Sequence, residues 1–508
     1  MLRFFRRVVA LAMLLTLTFF FVDGLNLLPE SVSKLAKIQL IPALLGHRWV
    51  TVGLLVAMTF VLGRFYCSAI CPLGILQDVI AWFGHRIPKK RKYAFRPAKN
   101  LLRWGVVVLV TGFAAGGITF VLGLLDPYSI FGRIATNVFR PVWLFGENLV
   151  TVAAVNPAVR TLEAFFLALV MLAGIGVLAY RNGRTYCNTI CPVGTVLGLF
   201  SRFSLFQIRM NPEKCIGCGL CAVRCKSSCI DPKAKRIDAS RCVMCFDCLG
   251  SCRKDALSCS IFSGGKKSPE TENAPEAKPS ESVAGVDLSK RTFLVTLSTL
   301  AAASQTVVAQ PVLEILNTGK NPFTRQTPIA PPGAVSIRHL VGHCTACHLC
   351  VSKCPTQVLK PAVMEYGVAG MFAPRMEYSR GFCNYDCTIC GDVCPNGAIL
   401  PLTVEAKNRV QVGRVVFVED NCVVKVDKKN CGACAEHCPT QAVTMVPYEG
   451  VLTIPHTDTE ICVGCGGCES ICPVRPFKAI YVEGNAEHQR RKEFEDVKVE
   501  VEIDDFGF

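Results

Sequence analysis

Cys215-x2-Cys218-x2-Cys221-x3-Cys225, followed by Cys242-x2-Cys245-x2-Cys248-x3-Cys252, decides the fold at the centre of this 508-residue chain. Each run crowds three cysteines together and adds a fourth one helical turn later. Thiolates are soft, anionic donors suited to iron in a sulfide cage. Zinc sites instead pair two close ligands with two distant ones, so the spacing selects iron–sulfur chemistry. Lys226 follows Cys225 where proline is usual, and Cys229 lies close enough to be a rival fourth ligand.

The tandem run resembles a bacterial ferredoxin with two [4Fe–4S] clusters, in which the fourth cysteine of each run crosses to the other cluster. The resemblance assigns Cys215, Cys218, Cys221 and Cys252 to one cluster, and Cys242, Cys245, Cys248 and Cys225 to the other. Two more such modules follow. One gives the sets Cys344, Cys347, Cys350, Cys394 and Cys383, Cys387, Cys390, Cys354. The other gives Cys422, Cys431, Cys434, Cys472 and Cys462, Cys465, Cys468, Cys438, with an eight-residue gap after Cys422. Proline follows each fourth cysteine of these two modules. Cys344-Thr-Ala-Cys347-His348 also matches the c-type haem pattern, but Cys350 and Cys354-Pro355 continue the cluster run directly. Six sets, four cysteines in a repeat described next, and the leftover Cys229 and Cys259 account for all 30 cysteines.

The chain is 51% hydrophobic with a mean hydropathy of +0.37, too apolar for an ordinary soluble protein. Its 55 Lys and Arg against 39 Asp and Glu give a net charge of +16. Much of that charge sits in short loops beside apolar runs, as the positive-inside rule requires, and no nucleic-acid module is evident. Spans are expected at about Val8–Leu28, His47–Gly63, Trp104–Leu125 and Thr161–Tyr180. The basic stretch Arg64–Arg103 and the exit at Arg181 place the first cluster module in the cytoplasm, and Asp126–Arg160 reads as an outer loop. His47, His85, Asp126, Glu147 and Glu163 are candidates to take protons from a quinol near the interfaces.

Arg64-Phe-Tyr-Cys67-Ser-Ala-Ile-Cys71-Pro72-Leu-Gly74 returns as Arg184-Thr-Tyr-Cys187-Asn-Thr-Ile-Cys191-Pro192-Val-Gly194. The duplication implies two equivalent half-bundles, and Cys-x3-Cys puts two sulfurs on one helical face. Cys67, Cys71, Cys187 and Cys191 are read as one shared cluster site, as redox dithiols or as packing residues. Two such motifs followed by a dicluster module resemble the NapH/MauN-type membrane polyferredoxins. Residues 289 to about 485 resemble the NapG/MauM-type four-cluster ferredoxins, with Pro331-Pro332-Gly333 and Met371–Arg375 beside the cysteine runs. The resemblance implies quinol oxidation and electron delivery to a redox partner such as a reductase or cytochrome.

The expected fold is a polytopic α-helical membrane bundle of four spans and a possible fifth, plus three α+β ferredoxin-like dicluster modules. Its parts are residues 1–210 in the membrane, a cytoplasmic module at 211–262, a Pro/Glu/Lys/Ser-rich linker at 263–288, and a twin-arginine-like segment at 289–324. Two modules at 325–485 and a charged tail at 486–508 complete it. Lys290-Arg291 opens the export-like segment, which would carry 325–485 to the periplasmic side of an inner membrane. The expected cofactors are about six [4Fe–4S] clusters, with quinol from the membrane pool as electron donor. Two other functions fit the sequence: a maturation or metal-reduction factor working through the repeated cysteines, and a membrane-anchored cytoplasmic polyferredoxin.

Overall fold

A computed structural model describes residues 2–23, 27–85, 93–151, 161–261, 325–379 and 381–492. The linker and the Lys290-Arg291 segment lie outside the described residues.

The first helix, α1 (Leu2–Val22), is an apolar run free of glycine and proline. It begins six residues before the expected span, because Arg3, Arg6 and Arg7 are helical residues with carboxylate partners rather than a flank. Short helices α2 (Ser33–Lys37) and α3 (Leu40–Leu45) lead to α4 (Trp49–Leu62). The first repeat then forms α5 (Phe65–Ala69) and α6 (Pro72–His85). Beyond it come α7 (Asn100–Ala115), α8 (Phe120–Leu125), α9 (Pro127–Ile134) and α10 (Arg140–Thr151). Finally α11 (Leu162–Asn182) precedes the second repeat, α12 (Thr185–Thr189) and α13 (Pro192–Ser201).

Four full-length spans are not confirmed among the described residues. Only α1 and α11, 21 residues each, are long and apolar enough to cross a membrane. Gly63, at φ +64°, ends α4 after 14 residues, and Gly116-Gly117 ends α7 after 16. At ~1.5 Å per residue a 14-residue helix covers roughly 21 Å, short of a bilayer core of about 30 Å. The expected outer loop Asp126–Arg160 is helical over most of its described part. Asp126 caps α9, Pro127 occupies its first turn, and a π-helical turn at Ala135–Phe139 carries the chain into α10. All of α9 is buried.

The repeats fold back into the bundle instead of leaving it. Helix α6 packs on α11, α1 and α9, while α13 packs on α4 and α7, so each repeat's second helix lies against the other half.

The cysteine-rich parts are small sheets and short helices. In the first module β1 (Phe206–Met210) pairs antiparallel with β4 (Leu257–Ile261), and β2 (Ile230–Asp231) with β3 (Arg236–Ile237). The outer strands thus close round an inner hairpin. The pattern returns as β7 (Val410–Phe417) with β10 (Ile480–Arg490) around β8 (Val443–Pro447) and β9 (Thr453–Thr457). Between these modules, β5 (Leu359–Pro361) pairs with β6 (Pro374–Met376). Strand β10 continues to Arg490, so the charged tail begins later than the expected residue 486.

Candidate cluster sites and the buried cysteine repeats

None of the 30 cysteines forms a disulfide. In four runs the residues on both sides of the second cysteine are left-handed: Gly217 and Gly219, Met244 and Phe246, Ala346 and His348, Gly464 and Gly466. Two such residues curl the loop around its own cysteines. Non-glycine residues hold that conformation at a cost of about 1–2 kcal/mol each, and such strain collects at functional sites. A second left-handed residue stands three positions past Cys225, Cys252, Cys354, Cys394 and Cys438, at Ser228, Asp255, Gln357, Gly397 and Gln441. Cys225 therefore sits in the turn of a fourth ligand.

Two of the expected groupings recur as pocket walls. Cys225, Cys242, Cys245 and Cys248 wall one small pocket with Cys229, and Cys354, Cys383, Cys387 and Cys390 wall another. Burial raises Cys350, and the charges that raise it further are those of Cys347, Cys394, Cys344 and Cys390. Cys434 is pushed up to about 12 by burial, then by Cys431, Cys422 and Cys472. Burial and then Cys465, Cys462 and Cys438 raise Cys468. Cys221 is raised by burial and by Cys215 and Cys218. Four thiols crowded in a dry pocket keep their protons unless a cation offsets them, and iron is such a cation. Backbone amides also aim at the sulfurs: Ala256 N at Cys252 Sγ (3.3 Å), Ala346 N at Cys344 Sγ (3.4 Å), Ile399 N at Cys394 Sγ (3.4 Å) and Gly464 N at Cys462 Sγ (3.3 Å). Amide hydrogen bonds to sulfur are how a protein tunes an iron–sulfur cluster. The residues therefore fit the group. Among the described residues no three metal-binding side chains close round a single ion point.

The two leftover cysteines separate. Cys259 lies in β4 opposite Ile208. Cys229 is buried with its sulfur 3.5 Å from that of Cys225. His348 has both ring nitrogens engaged, Nε2 with Phe372 O at 3.2 Å and Nδ1 with Asn137 Nδ2 at 3.0 Å. Burial, then nearby Arg133, lowers its pKa to about 3, which matches a neutral ring donating to Phe372 and accepting from Asn137.

The repeats bring Cys67, Cys71, Cys187 and Cys191 into the core, each at most 4% exposed. They do not share one helical face as expected. Cys67 and Cys187 are helical, whereas Cys71 and Cys191 occupy the breaks before Pro72 and Pro192. Arg64 Nη2 donates to Cys187 O at 3.0 Å, and Arg184 Nη1 to Cys67 O.

Sequence reasoning missed the ionic seams. Asp78 receives Arg184 (2.7 Å), Lys226 (2.6 Å) and Arg6 (3.3 Å), and Asp247 receives Arg3 (2.8 Å), Arg7 (3.1 Å) and Lys226 (3.3 Å). Burial works against the charge on Asp247, but Lys226 and the three arginines hold its pKa below the usual carboxylate range. Lys226, where proline is usual, pairs with Asp78 of the bundle and so ties the first module to it. At the far end of α1, Lys353 reaches Asp23 at 3.0 Å, with both side chains buried. There Ser129 lies 2.8 Å from Thr345 Oγ1, and Arg48 donates to Pro395 O at 3.0 Å.

The quinol candidates divide. Asp126 is fully buried and accepts from Ser129 N as a helix cap, which makes it structural. Glu163 lies exposed in the first turn of α11. His47 is exposed, its ring 6.0 Å from Trp49 and 6.4 Å from His343, next to Cys344. The side chains of His85 and Glu147 lie outside the described residues. A groove of about 740 Å³ runs between Leu400–Val410 and His488–Arg490 and has no cysteine in its lining.

Comparison with known proteins agrees with this chemistry. A 4Fe-4S binding domain profile matches residues 49–91 and 163–211, and a 4Fe-4S dicluster domain profile matches 429–476. The methylamine utilization ferredoxin-type protein MauM of Methylobacillus flagellatus is 31% identical over 167 residues, covering 30% of this chain and 66% of that protein. MauN of Paracoccus denitrificans is 28% identical over 212 residues, 41% of this chain and 62% of that protein. The ferredoxin-type protein NapF of Escherichia coli K12 is 24% identical over 157 residues, 31% of this chain and 87% of that protein. The chain thus spans somewhat under two thirds of the length of MauM and MauN. No solved structure matches. The homologues are ferredoxin-type proteins, and a fusion of a MauN/NapH-like part with a MauM/NapG-like part is consistent with them.

Proposed function

We propose that this protein is a membrane-bound electron carrier that takes electrons from quinol and delivers them, through six [4Fe–4S] clusters, to a redox partner across the membrane. The observation that carries this reading is the docking of the modules at opposite ends of α1. Arg3 and Arg7, at its start, hold Asp247 of the first module. Asp23, just past its end, holds Lys353 of the second. A 21-residue helix is roughly 31 Å long, about the thickness of a bilayer core. Val50, Leu54, Val108, Phe166 and Val170 turn apolar side chains outward, which suits lipid and not water. The fused resemblance to MauN- and MauM-type proteins points the same way.

An iron–sulfur cluster, when bound, supplies one-electron storage. The six cysteine sets position it, and the amides of Ala256, Ala346, Ile399 and Gly464 set its environment. His47 is placed to take a quinol proton beside the loop of Cys344, where Trp49 offers an apolar ring to the quinol head. Opposite-end docking disfavours an all-cytoplasmic polyferredoxin, since one module would have to leave its seat. Protease added to intact spheroplasts tests the arrangement. Cleavage within residues 325–485, with 211–262 protected, is expected. Protection of both modules overturns the reading.

A further inference from the structure

Lys407 is a buried ammonium without a carboxylate. It lies in the short helix Val404–Asn408, capped by Thr403 Oγ1 accepting from Ala406 N at 3.2 Å, and it is the one buried residue of that helix. Its Nζ donates to two backbone carbonyls, Tyr385 O at 2.8 Å and Asn384 O. Among the described residues no carboxylate pairs with it. Asp386 meets Asn408 instead, at 3.4 Å, and Glu405 is exposed. A buried cation is costly unless an anion stands nearby.

Asn384 and Tyr385 belong to the gap Cys383-x3-Cys387, one residue longer than the usual two. Their carbonyls face Lys407, which closes this loop from one side. The third module closes it from the other. Cys383 N donates to Cys465 O at 2.9 Å, Val412 N to Val463 O at 3.2 Å, and the Tyr378 hydroxyl to Gly464 O. Cys383, Cys465 and Lys407 line one cavity of about 20 Å³, together with Tyr385, Asn408 and Val463. Burial pushes the thiols of Cys383 and Cys465 up to about 11 each, and the Lys407 charge works against the rise in both. Neutral thiols give the ammonium no anion, whereas thiolates around an iron–sulfur core do.

We propose that Lys407 is a counter-ion shared by two sites of different modules, the set Cys383, Cys387, Cys390, Cys354 and the set Cys462, Cys465, Cys468, Cys438, and that the seam it fills joins the last two modules for electron transfer. A fixed positive charge favours the reduced, more negative form of both sets. It therefore raises both potentials together and does not set one against the other. An electron lost by one set is the electron gained by the other, with no proton moved and no bond changed. The inference rests on the electron-carrier reading for its purpose, while the placement of the charge stands without it.

The test uses the full-length protein, purified anaerobically, as wild type, Lys407→Gln and Lys407→Arg, with Cys390→Ser and Cys468→Ser to mark the two spectral components. Glutamine can still donate to the loop carbonyls, so it removes the charge and keeps a donor. In redox titrations followed by electron paramagnetic resonance, Lys407→Gln is expected to lower the midpoints of those two components alone. The expected shift is about tenfold in each reduction equilibrium, roughly 59 mV for one electron. Lys407→Arg is expected to hold both midpoints near wild type. Unmoved midpoints overturn the proposal, and so does a shift confined to one component or an equal shift with arginine. Should Lys407→Gln lose iron, adjacency decides: Cys390→Ser is expected to narrow the fully reduced signal of the Cys462 set, although that set belongs to another module. An unaltered signal there overturns the shared seam. If both midpoints move while quinol reduces neither site, the proposed function fails and this inference stands. If quinol reduces both and the midpoints stay, the reverse holds.

Discussion

Arg64 Nη2 donates to the carbonyl oxygen of Cys187 at 3.0 Å, although 123 positions of chain separate the two residues. Arg184 makes the equivalent bond to Cys67 O. Each repeat's arginine thus closes the other repeat's cysteine turn, and neither turn is complete alone. The same exchange brings Arg184 to Asp78, in the first repeat's second helix.

Asp78 is the main junction between bundle and first module. Replacing it with asparagine leaves Arg184 and Lys226 buried without their carboxylate. Removing one partner of a buried pair typically costs about 3–5 kcal/mol. Asp78→Asn should therefore lower the thermal unfolding midpoint and speed proteolysis of residues 211–262. An unchanged midpoint would mean that the Asp247 pairs and the bonds to Ser227 O, Ala239 O and Ser240 O anchor the module without Asp78.

Cys225 and Cys229 compete on paper for one ligand position. Ser228 carries the left-handed turn that follows the fourth cysteine in four other runs. Cys225→Ser should remove one cluster, about one sixth of the module iron, while Cys229→Ser should retain it. The opposite result in iron analysis would move the ligand to Cys229.

Gly466 has φ +79°, and a Cβ there would run into the ring of the fully buried Tyr378. Tyr378 is pinned by its hydroxyl to Gly464 O at 2.5 Å, so it cannot swing aside cheaply. Gly466→Ala should cost the cluster of Cys462, Cys465, Cys468 and Cys438, seen as loss of one spectral component. Full retention would show that the ring yields.

His47 is the one quinol candidate, among those with described side chains, whose ring neighbours a cysteine loop. Loss of a positioned general base typically slows a step about 10²–10⁴-fold. His47→Ala should slow reduction by a quinol analogue by at least about tenfold, yet leave reduction by dithionite unchanged. Equal rates with quinol would remove His47 from the reaction.

The iron–sulfur character was legible in the chain because it is local chemistry. Three thiolates within one short loop, and a fourth a turn later, name their metal by spacing alone. The crossing of fourth ligands followed from resemblance, and the pockets at Cys225 and Cys354 group the same sulfurs. The repeat too was legible, as a duplication. What the repeat builds was not, because Arg64 reaches Cys187 and Arg184 reaches Cys67 only after two half-bundles interlock, and no local pattern records that. The same holds for Asp78, Asp247 and Asp23, which look like ordinary carboxylates until a distant lysine or arginine arrives. Hydropathy gave no sign of the helix Pro127–Ile134 inside the stretch read as an outer loop, since a buried capped helix has no apolar period to announce it. Only the tertiary structure, where burial makes each unpaired charge expensive, decided which charges stand together and which end of α1 each module holds.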